Sequence, residues 1–571
     1  MSVKKNETVK LTITDVNNKG FGVARLDGDG RVVFVANAVT GEEISAKIIK
    51  VASDYLVARC EEVLMESPYR TAPDCKAFPI CGGCVYRHIS YEHELALKTE
   101  YVRHAFRKAK LDLAVAPCEG GEVVGYRNKV ECPLTENYEV GFFSARSHKV
   151  VPATGCRLEN PALTPILKTV TAWLKEHKIS LYDEESGKGI LRHVYLRIGE
   201  VSGEVMVALV VNESLPKSAD FAKTIAKKHP NVVSVLLNHN REKTNVILGK
   251  ECTILYGKNH IEDTLCGLKF RLAPLSFYQV NGKMAERLYK KALSLAALTK
   301  DYTLADLFCG VGTIGLFMAK EAGVKSLVGV EIIPEAIENA KVNAALNGIE
   351  NATFICGDAN SKELARADVI VVDPPRKGCG EELLKRIADI SPKRLVYISC
   401  NPDTLARDCA VLKTLGYQTD TVYPFDLFPR TGHVETVVCL SRQINVHKMK
   451  LNSTPFEMIK SGEKNIELRL YDEKRQRIKV GDKIVFTNNT TGETLHSTVV
   501  KLHRFDSFDE LYKTLPLLKC GYTTDNIDTA TPADMEQYYS VEEQKKYGVV
   551  GIEICRPKEI TDESVVYLTK K

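Results

Sequence analysis

The sequence predicts an α/β protein with a doubly wound parallel sheet, preceded by a small β-barrel and followed by a further domain. From about Ala273, apolar strands alternate with helical stretches, as in TLADLFCG, SLVGVEI and DVIVVDPP. That rhythm is typical of a sheet covered by helices on both faces. Before Glu62, short runs alternate apolar and polar residues, and after Arg442 the pattern restarts in a different style. The chain therefore divides into regions of different architecture.

The composition indicates a soluble protein of several domains. With 571 residues, 44% hydrophobic and 26% charged, the chain is long enough for roughly three to five domains. A net charge of +5 is small for this length, so any nucleic acid must be bound by local basic patches. The polar start MSVKKNETVK and the lack of a run of ~20 apolar residues predict a cytoplasmic protein without a membrane partner.

The first region, residues 1–62, is predicted to be a five-stranded antiparallel barrel. Its strand-like runs TVKLTITDV, GFGVARL, RVVFVANA, EEISAKIIKV and YLVARCEEVL are separated by turn signals such as NNKG and DGDG. The pattern resembles the TRAM domain, an OB-like module of RNA-modifying enzymes, which implies RNA binding. The alternative is a barrel that only packs on its neighbour.

The second region, residues 63–270, is predicted to be a mixed α/β platform after a charged helix. The helix-like stretch YEHELALKTEYVRHAFRKAK either binds phosphates or presents a solvated face, through Lys98, Arg103, Arg107 and Lys110. From about Gly125, strand-like runs such as HVYLRIG and EVMVALVV predict the sheet. This region carries no catalytic signature of its own.

Four cysteines are predicted to bind a metal or an iron–sulfur cluster. Cys75, Cys81 and Cys84 form C-x5-C-x2-C in DCKAFPICGGCVY, and Cys156 follows in ATGC. Thiolates in an irregular loop suit such a group, and four of them could also hold zinc. The loop resembles that of the 23S ribosomal-RNA uracil-5-methyltransferases, which implies a [4Fe–4S] cluster on these cysteines. Arg87 stands where many relatives carry Gln.

The third region, residues 271–445, carries the predicted cofactor site. Glycines 310, 312 and 315 of ADLFCGVGTIGLFMA would let the backbone approach a ligand at the first strand-to-helix turn. Glu331, Asp358 and Asp373 end the next strands, an order that fits S-adenosylmethionine better than NAD. The family resemblance, which extends through SFYQVN, implies a class I, Rossmann-like fold and a cofactor pocket lined by Gln279, Phe308, Thr313, Glu331, Asp358 and Asp373. The alternatives are a core position for Phe308 and a helix-capping role for Thr313.

Cys400 is predicted to be the nucleophile. It ends an apolar strand in RLVYISCNPDTLARD, directly before an Asn-Pro turn that would expose the thiol, although most free cysteines are small buried hydrophobes. The string SCNPDTLARD resembles the catalytic loop of the uracil-5-methyltransferases. In HVE, Glu435 resembles the family's base, and its alternative is an exposed glutamate at a strand end. Asp373 and Arg376 of DPPRKG are expected to face the target base.

The resemblance covers about residues 1–442 and implies S-adenosylmethionine-dependent methylation of C5 of uracil in 23S ribosomal RNA by a monomeric enzyme. The alternatives are a transfer-RNA uracil-5-methyltransferase, an amino-group methyltransferase, which needs no cysteine, and a non-catalytic RNA-binding or ribosome-assembly factor. Residues 446–571 contain G-x-K-x-x-E-x-R at Gly462, Lys464, Glu467 and Arg469 and resemble an ASCH domain, a PUA-like barrel associated with RNA. There Lys464 and Glu467 form either a helix-face pair or part of an RNA cleft.

Overall fold

The computed structural model describes residues 3–28, 30–145, 147–360, 366–442 and 444–555. The chain forms two compact units, Met1–Ser441 and Arg442–Lys571. Within the described ranges, no helix has both the length and the apolar character needed to cross a bilayer.

The first unit begins with a sheet that differs from the predicted five antiparallel strands. Within residues 3–28 and 30–65, six strands pair in the order β1-β5-β6-β4-β3-β2, and β4 runs parallel to β6. The run TVKLTITDV is divided because Gly41 donates its N–H to Ile13, whereas Thr14 donates to Val23 on another strand. The two halves of this run therefore form separate strands that pair with different neighbours, β5 and β3. The strands are β1 (Thr8–Thr12), β2 (Asp15–Val16), β3 (Phe21–Arg25), β4 (Val32–Ala36), β5 (Glu43–Val51) and β6 (Tyr55–Met65).

The central region is a mixed sheet with helices, as predicted. Among the described residues its largest sheet has five strands in the order β14-β13-β12-β11-β8, with β12 and β13 parallel and the other neighbours antiparallel. Strands β11 and β12 are buried along their whole length. The elements are α1 (Tyr91–Lys108), β7 (Ala114–Val115), β8 (Lys129–Cys132), β9 (Gly141–Phe143), β10 (Val150–Pro152), α2 (Leu163–Glu176), β11 (Leu191–Ile198), β12 (Val205–Val211), α3 (Ser218–Lys228), β13 (Val232–His239), β14 (Glu251–Gly257), β15 (Ile261–Leu265) and β16 (Leu268–Leu272).

The third region confirms the doubly wound α/β fold. In the described part of the chain nine strands form its sheet, with the main order β19-β18-β17-β20-β21-β24-β23-β7. The strands from β19 to β21 are parallel, and β24 is antiparallel to β21. The elements are α4 (Gly282–Ala296), β17 (Thr303–Leu307), α5 (Thr313–Ala322), β18 (Ser326–Glu331), α6 (Pro334–Leu346), β19 (Ala352–Cys356), β20 (Val369–Val372), α7 (Glu381–Ile390), β21 (Arg394–Ser399), α8 (Pro402–Thr414), β22 (Tyr417–Gln418), β23 (Thr421–Phe425) and β24 (Glu435–Arg442).

Helix α1 and strand β7 pack with this sheet although their residues belong to the central region of the sequence. Strand β7 pairs with β23 at the sheet edge. Val102 and Phe106 of α1 belong to the same apolar core as Leu405 of α8 and Tyr397 of β21. One face of the charged helix is therefore buried against the doubly wound sheet.

The second unit contains a sheet as its central feature. Among its described residues, five strands pair in the order β25-β27-β28-β29-β26. Phe456, Phe486 and Ile552 are fully buried in its core. The elements are β25 (Val446–Leu451), α9 (Ser453–Ser461), β26 (Ile466–Leu470), β27 (Lys483–Asn488), β28 (Thr494–Phe505), α10 (Phe508–Thr514), α11 (Leu517–Cys520), α12 (Val541–Tyr547) and β29 (Val549–Cys555), with short 3-10 turns at Arg475–Arg477, Ile527–Thr529 and Pro532–Met535.

Candidate active site and cysteine cavity

The carboxyl edge of the doubly wound sheet gathers several predicted cofactor residues. Leu307, the last residue of β17, pairs with Val330 of β18 and Val372 of β20. Phe308, Glu331 and Asp373 therefore emerge side by side. The chain order reverses between β17 and β20, and a doubly wound sheet binds its ligand at such a switch point.

The turn after β17 is tight because glycines occupy its critical positions. Gly312, with φ +85°, directly precedes α5. Gly315 donates its N–H to Asp306 Oδ2 at 2.8 Å, and a Cβ at this position would lie 2.6 Å from that oxygen. Asp306 was not predicted as a site residue, although it is a carboxylate within an otherwise apolar strand. Burial raises the pKa of Asp306 to about 8, against the hydrogen bond from Gly315.

Hydrogen bonds orient the side chains at this edge. Glu331 accepts the N–H of Gly310 at 3.2 Å on one oxygen and that of Ile333 at 3.0 Å on the other. The Thr313 hydroxyl lies 3.3 Å from the hydroxyl of Tyr289, and no side-chain cap is formed at the start of α5. The capping interpretation of Thr313 is therefore wrong.

The remaining predicted cofactor residues occupy different environments. Phe308 is half-buried, with φ +65°, at the tip of the turn after β17, rather than being fully buried in the core. Asp358 is exposed beyond β19 and accepts the N–H of Asn360 at 2.9 Å. Gln279 is buried before α4, and its main-chain carbonyl accepts the Asn128 amide at 3.0 Å. The cofactor contacts of all three stay predictions.

Cys400 and Glu435 lie at adjoining ends of two neighbouring strands. Ser399 of β21 pairs with Thr436 of β24, and the Thr436 hydroxyl donates to the Ser399 carbonyl at 3.0 Å. Cys400 follows Ser399, and Glu435 precedes Thr436, so both residues lie next to this last pair of the register. Glu435 also affects the pKa of Cys400, which requires the two side chains to be near each other. The thiol and the carboxyl thus belong to one site.

Asp373 and Arg376 affect the pKa values of both Cys400 and Glu435. Burial, and after it the charges of Glu435 and Asp373, raises the pKa of Cys400 to about 11, whereas Arg376 opposes the rise. Burial also raises the pKa of Glu435 to about 8, with Asp373 adding to the rise and Arg376 opposing it. The pKa of Asp373 is raised to about 7 by burial. Since Glu435 is only 5% exposed, the interpretation of an exposed strand-end glutamate is wrong.

The loop after Asp373 is fixed to the segment after Cys400. The Asn401 side-chain amide and the Thr404 hydroxyl donate to the Arg376 carbonyl at 3.1 and 3.2 Å. Asp408 of α8 accepts the N–H of Cys379 at 2.9 Å. These bonds connect the loop that carries Arg376 to the helix that follows the thiol.

The four predicted metal-binding cysteines are brought together. Cys75, Cys81, Cys84 and Cys156 line one cavity of about 250 Å³, which Arg87 and Glu159 also line. The Gly83 N–H donates to Cys81 Sγ at 3.4 Å, and Arg87 forms an ion pair with Asp74. The substituted position 87 is therefore occupied by a buried cation at the wall of the cavity.

The donor set of this cavity fits an iron–sulfur cluster. Within the ranges that the structure describes, no three His, Cys, Asp or Glu side chains converge as they would on a single metal ion. A cluster instead takes one thiolate on each of several irons, so its ligands surround a volume. The four thiols line one cavity, and the cluster itself stays a prediction.

Three segments match known families: a TRAM domain at residues 2–60, a methyltransferase domain at 298–422 and an ASCH domain at 449–558. A protein of Clostridium tetani named an uncharacterized RNA methyltransferase is 40% identical over 451 residues, covering 77% of this chain and 97% of the relative. A relative of the same description from Bacillus cereus is 42% identical over 453 residues, covering 77% and 98%. The chain belongs to this RNA methyltransferase family. The predicted TRAM, methyltransferase and ASCH domains, the RNA methyltransferase family and the fold class are thus confirmed, whereas the 23S ribosomal-RNA substrate and the iron–sulfur cluster stay predictions.

A solved structure is similar over the same share of the chain. It is the Pyrococcus abyssi tRNA (uracil-54, C5)-methyltransferase in complex with S-adenosyl-L-homocysteine, with 27% identity and a TM-score of 0.63. The similarity covers 76% of this chain and 100% of the archaeal protein. An RNA methyltransferase fold therefore extends beyond the segment matched by the methyltransferase domain alone.

The ASCH segment contains a buried charged cluster. Lys464 Nζ lies 2.9 Å from Glu467 Oε2, and Arg469 Nη2 lies 2.8 Å from Glu467 Oε1. Lys464 precedes β26 and Glu467 lies within it, so the helix-face interpretation is wrong. The interpretation as part of an RNA cleft stays a prediction.

Proposed function

We propose that the chain transfers a methyl group from S-adenosylmethionine to C5 of a uracil in RNA. The observation that carries this proposal is the position of Cys400 and buried Glu435 at adjoining strand ends, where Asp373 affects the pKa of both. A nucleophile and a proton acceptor are the two protein groups that this substitution needs. The methyltransferase match and the relative solved with S-adenosyl-L-homocysteine support S-adenosylmethionine as cofactor.

Cys400 is needed because C5 of uracil is a weak nucleophile. In the proposed mechanism the thiolate adds to C6, and the C5–C6 π electrons move toward O4 to give an enolate. The enolate carbon C5 then attacks the electrophilic methyl group that S-adenosylmethionine supplies. Covalent addition thus divides a difficult substitution into easier steps.

Glu435 completes the reaction as the base. Its carboxylate takes the C5 proton, the C–H electron pair forms the C5=C6 bond, and the C6–S bond breaks with its electrons returning to Cys400. A pKa of about 8 places Glu435 in a range where it can accept a proton near neutral pH. Arg376 lowers the pKa of Cys400 and so favours the thiolate against the effect of burial.

The cofactor would occupy the carboxyl edge next to the thiol. We assign the ribose hydroxyls to Glu331, whose carboxylate is held by two main-chain N–H groups. Asp358 would contact the adenine, while Gln279, Phe308, Thr313 and Asp373 would line the remainder of the pocket. These roles follow the sequence resemblance and the strand order.

Cys75, Cys81, Cys84 and Cys156 would hold a [4Fe–4S] cluster that staples the central region. The support is the shared cavity and the all-thiol donor set. Protein purified without oxygen is expected to contain about four irons and four sulfides per chain. One zinc ion and no acid-labile sulfide would contradict this assignment.

The proposed substrate is 23S ribosomal RNA, and transfer RNA is the second candidate because of the similar Pyrococcus abyssi enzyme. Residues 1–62 and 63–270 would bind the RNA, 271–445 would carry out the chemistry, and 446–571 would add an RNA contact. Because the target base is stacked or folded, it must be flipped into the pocket. We expect a monomer acting in the cytoplasm.

The deciding experiment is mass mapping of ribosomal and transfer RNA from cells with and without the protein. The proposal expects one methyl group at specific uridines of 23S RNA to disappear. A loss confined to transfer RNA would select the second candidate. RNA binding without any 5-methyluridine would favour the non-catalytic factor and overturn the enzymatic proposal.

A further inference from the structure

The segment Asp426–Val434, called here the base-delivery segment, ends directly before Glu435. It connects β23 to β24 and touches several parts of the first unit. The Asn281 side-chain amide donates to the Leu427 carbonyl at 3.1 Å, and the Tyr126 hydroxyl donates to the Pro429 carbonyl at 3.0 Å. The position of the proposed base therefore depends on contacts outside its own strand.

Four charged side chains hold this segment on helix α1. Lys98 Nζ lies 2.8 Å from Glu94 Oε1 and 2.7 Å from Asp426 Oδ1, and these three side chains are almost completely buried. Arg430 donates its main-chain N–H to Glu94 at 2.7 Å. Two cations thus balance two carboxylates, and separating them would leave buried charges without partners.

Arg430 is the member of this network that also contacts the cysteine loop, the segment from Cys75 to Tyr86. Its guanidinium donates to the Ile89 carbonyl at 2.8 Å and lies 3.4 Å from Glu94 Oε2. Its own carbonyl accepts the N–H groups of Val85 at 2.8 Å and Tyr86 at 3.2 Å, directly after Cys84. With φ +71°, Arg430 has a backbone conformation that a non-glycine residue rarely adopts. Its side-chain contacts hold it there.

We propose that Arg430 is a positioning residue that connects the cysteine loop to Glu435 and sets the rate of C5-proton removal. This role depends on the uracil chemistry proposed above. Cys400 lies between β21 and α8, and the hydrogen bonds of Asn401 and Thr404 to the Arg376 loop do not involve the base-delivery segment. Loss of the Arg430 side chain would therefore displace Glu435 while leaving Cys400 able to add to C6.

The expected consequence is a change in the ratio between the rates of adduct formation and adduct breakdown. Addition and methyl transfer would proceed, but the carboxylate would reach the C5 proton less often. The C6–S bond would then persist, and a methylated protein–RNA adduct would accumulate. A general loss of folding would instead lower adduct formation and adduct breakdown together.

The test is a single-turnover reaction of the full, cluster-containing chain with unmodified uridine RNA, quenched by denaturation. Arg430→Ala is expected to form the adduct within about twofold of the wild-type rate and to resolve it at least about tenfold more slowly. Arg430→Lys keeps the charge beside Glu94 and is expected to give a smaller slowing, which also serves if the alanine variant folds poorly. Lys341→Ala, on the surface of α6 where Lys341 pairs with Glu338, is the control with unchanged partition.

A second readout follows the amides themselves. The N–H groups of Val85 and Tyr86, which donate to the Arg430 carbonyl, are expected to exchange hydrogen faster in Arg430→Ala. Unchanged exchange, or equal slowing of adduct formation and breakdown, would overturn the positioning role. Glu435→Gln separates the two proposals. If that variant accumulates adduct while Arg430→Ala resolves it normally, only the positioning role fails; if no adduct forms in either, both proposals fail.

Discussion

Two groups of buried charged side chains lie in the same unit and differ in one respect. In the network of Lys98, Glu94, Asp426 and Arg430, each carboxylate lies close to a cation. Around Cys400, Glu435 is buried and Asp373 is half-buried, and among the described residues Arg376 is the cation that opposes the rise in the pKa of Glu435. The first group neutralises its charge; the second keeps an excess of acid.

The difference separates residues that hold the fold from residues that perform chemistry. Although burial alone would lower it, the pKa of Lys98 is raised because Glu94 and Asp426 favour the charged amine. Burial raises the pKa values of Asp373 and Glu435 to about 7 and about 8, and Arg376 offsets only part of the rise at Glu435. Such unbalanced burial is typical of catalytic sites.

The largest expected effect comes from removing the thiol of Cys400. Cys400→Ala should lower turnover by more than about 1,000-fold, because the covalent step disappears, while the unfolding transition stays unchanged. Methylation rate and thermal unfolding measure the two effects. Cys252→Ala, at an exposed thiol of β14, is the matched control. Turnover within tenfold of wild type would favour the amino-group methyltransferase alternative.

Removing the buried cation Lys98 from its network with Glu94 and Asp426 should lower the stability of the first unit. Lys98→Met leaves Glu94 and Asp426 buried without their shared cation, and the free energy of unfolding of the first unit should fall by about 3–5 kcal/mol. Denaturant titration of the full chain measures this loss. Adding Glu94→Gln and Asp426→Asn should restore a large part of it. A loss below about 1 kcal/mol for the single variant would contradict the assigned role.

Replacing Glu435 with a neutral residue should stabilise the folded protein by an amount that depends on pH. The pKa of Glu435 is raised from 4.5 to about 8, so the folded protein retains a proton that the unfolded chain loses. Native stability should therefore fall as pH rises between these values, and Glu435→Gln should avoid that fall. Relative to wild type, the variant should gain roughly 2–5 kcal/mol between pH 4.5 and pH 8. A difference that is constant with pH would contradict the raised pKa.

The smallest effect is expected where a charge pair is exposed. Lys341 Nζ lies 2.7 Å from Glu338 Oε1 on α6, and both side chains are more than half exposed. Lys341→Met should change the free energy of unfolding by less than about 0.5 kcal/mol, because water screens the pair. The same denaturant titration compares it with Lys98→Met. Equal losses would show that burial does not distinguish the two pairs.

The site residues that could be predicted are those whose position follows from their immediate neighbours in the sequence. Acidic residues at consecutive strand ends placed Glu331 and Asp373 at one sheet edge, and a thiol before an Asn-Pro turn placed Cys400 at the end of a strand. These predictions succeed because parallel strands of a doubly wound sheet align their carboxyl ends. The gathering of Cys156 with the cysteine loop came from the family resemblance, since spacing alone does not determine which distant thiol joins a cavity.

Other features depend on tertiary contacts that no local pattern contains. Lys98 belonged to a helix expected to bind phosphate or face water, yet its partner Asp426 lies far along the chain. The run TVKLTITDV gave no sign that it would pair with two different strands. Asp306 was overlooked because its partner, the N–H of Gly315, is a main-chain group. In each case the missing information was the identity of the neighbour.

The central claim is that Cys400 adds to C6 of a uracil opposite Glu435. It is tested most directly by incubating the chain with S-adenosylmethionine and RNA that contains 5-fluorouridine, whose C5 fluorine cannot be removed as a proton. We predict a stable protein–RNA adduct, and peptide mass mapping should locate the nucleotide on Cys400. No adduct, or an adduct on another side chain, would contradict the account.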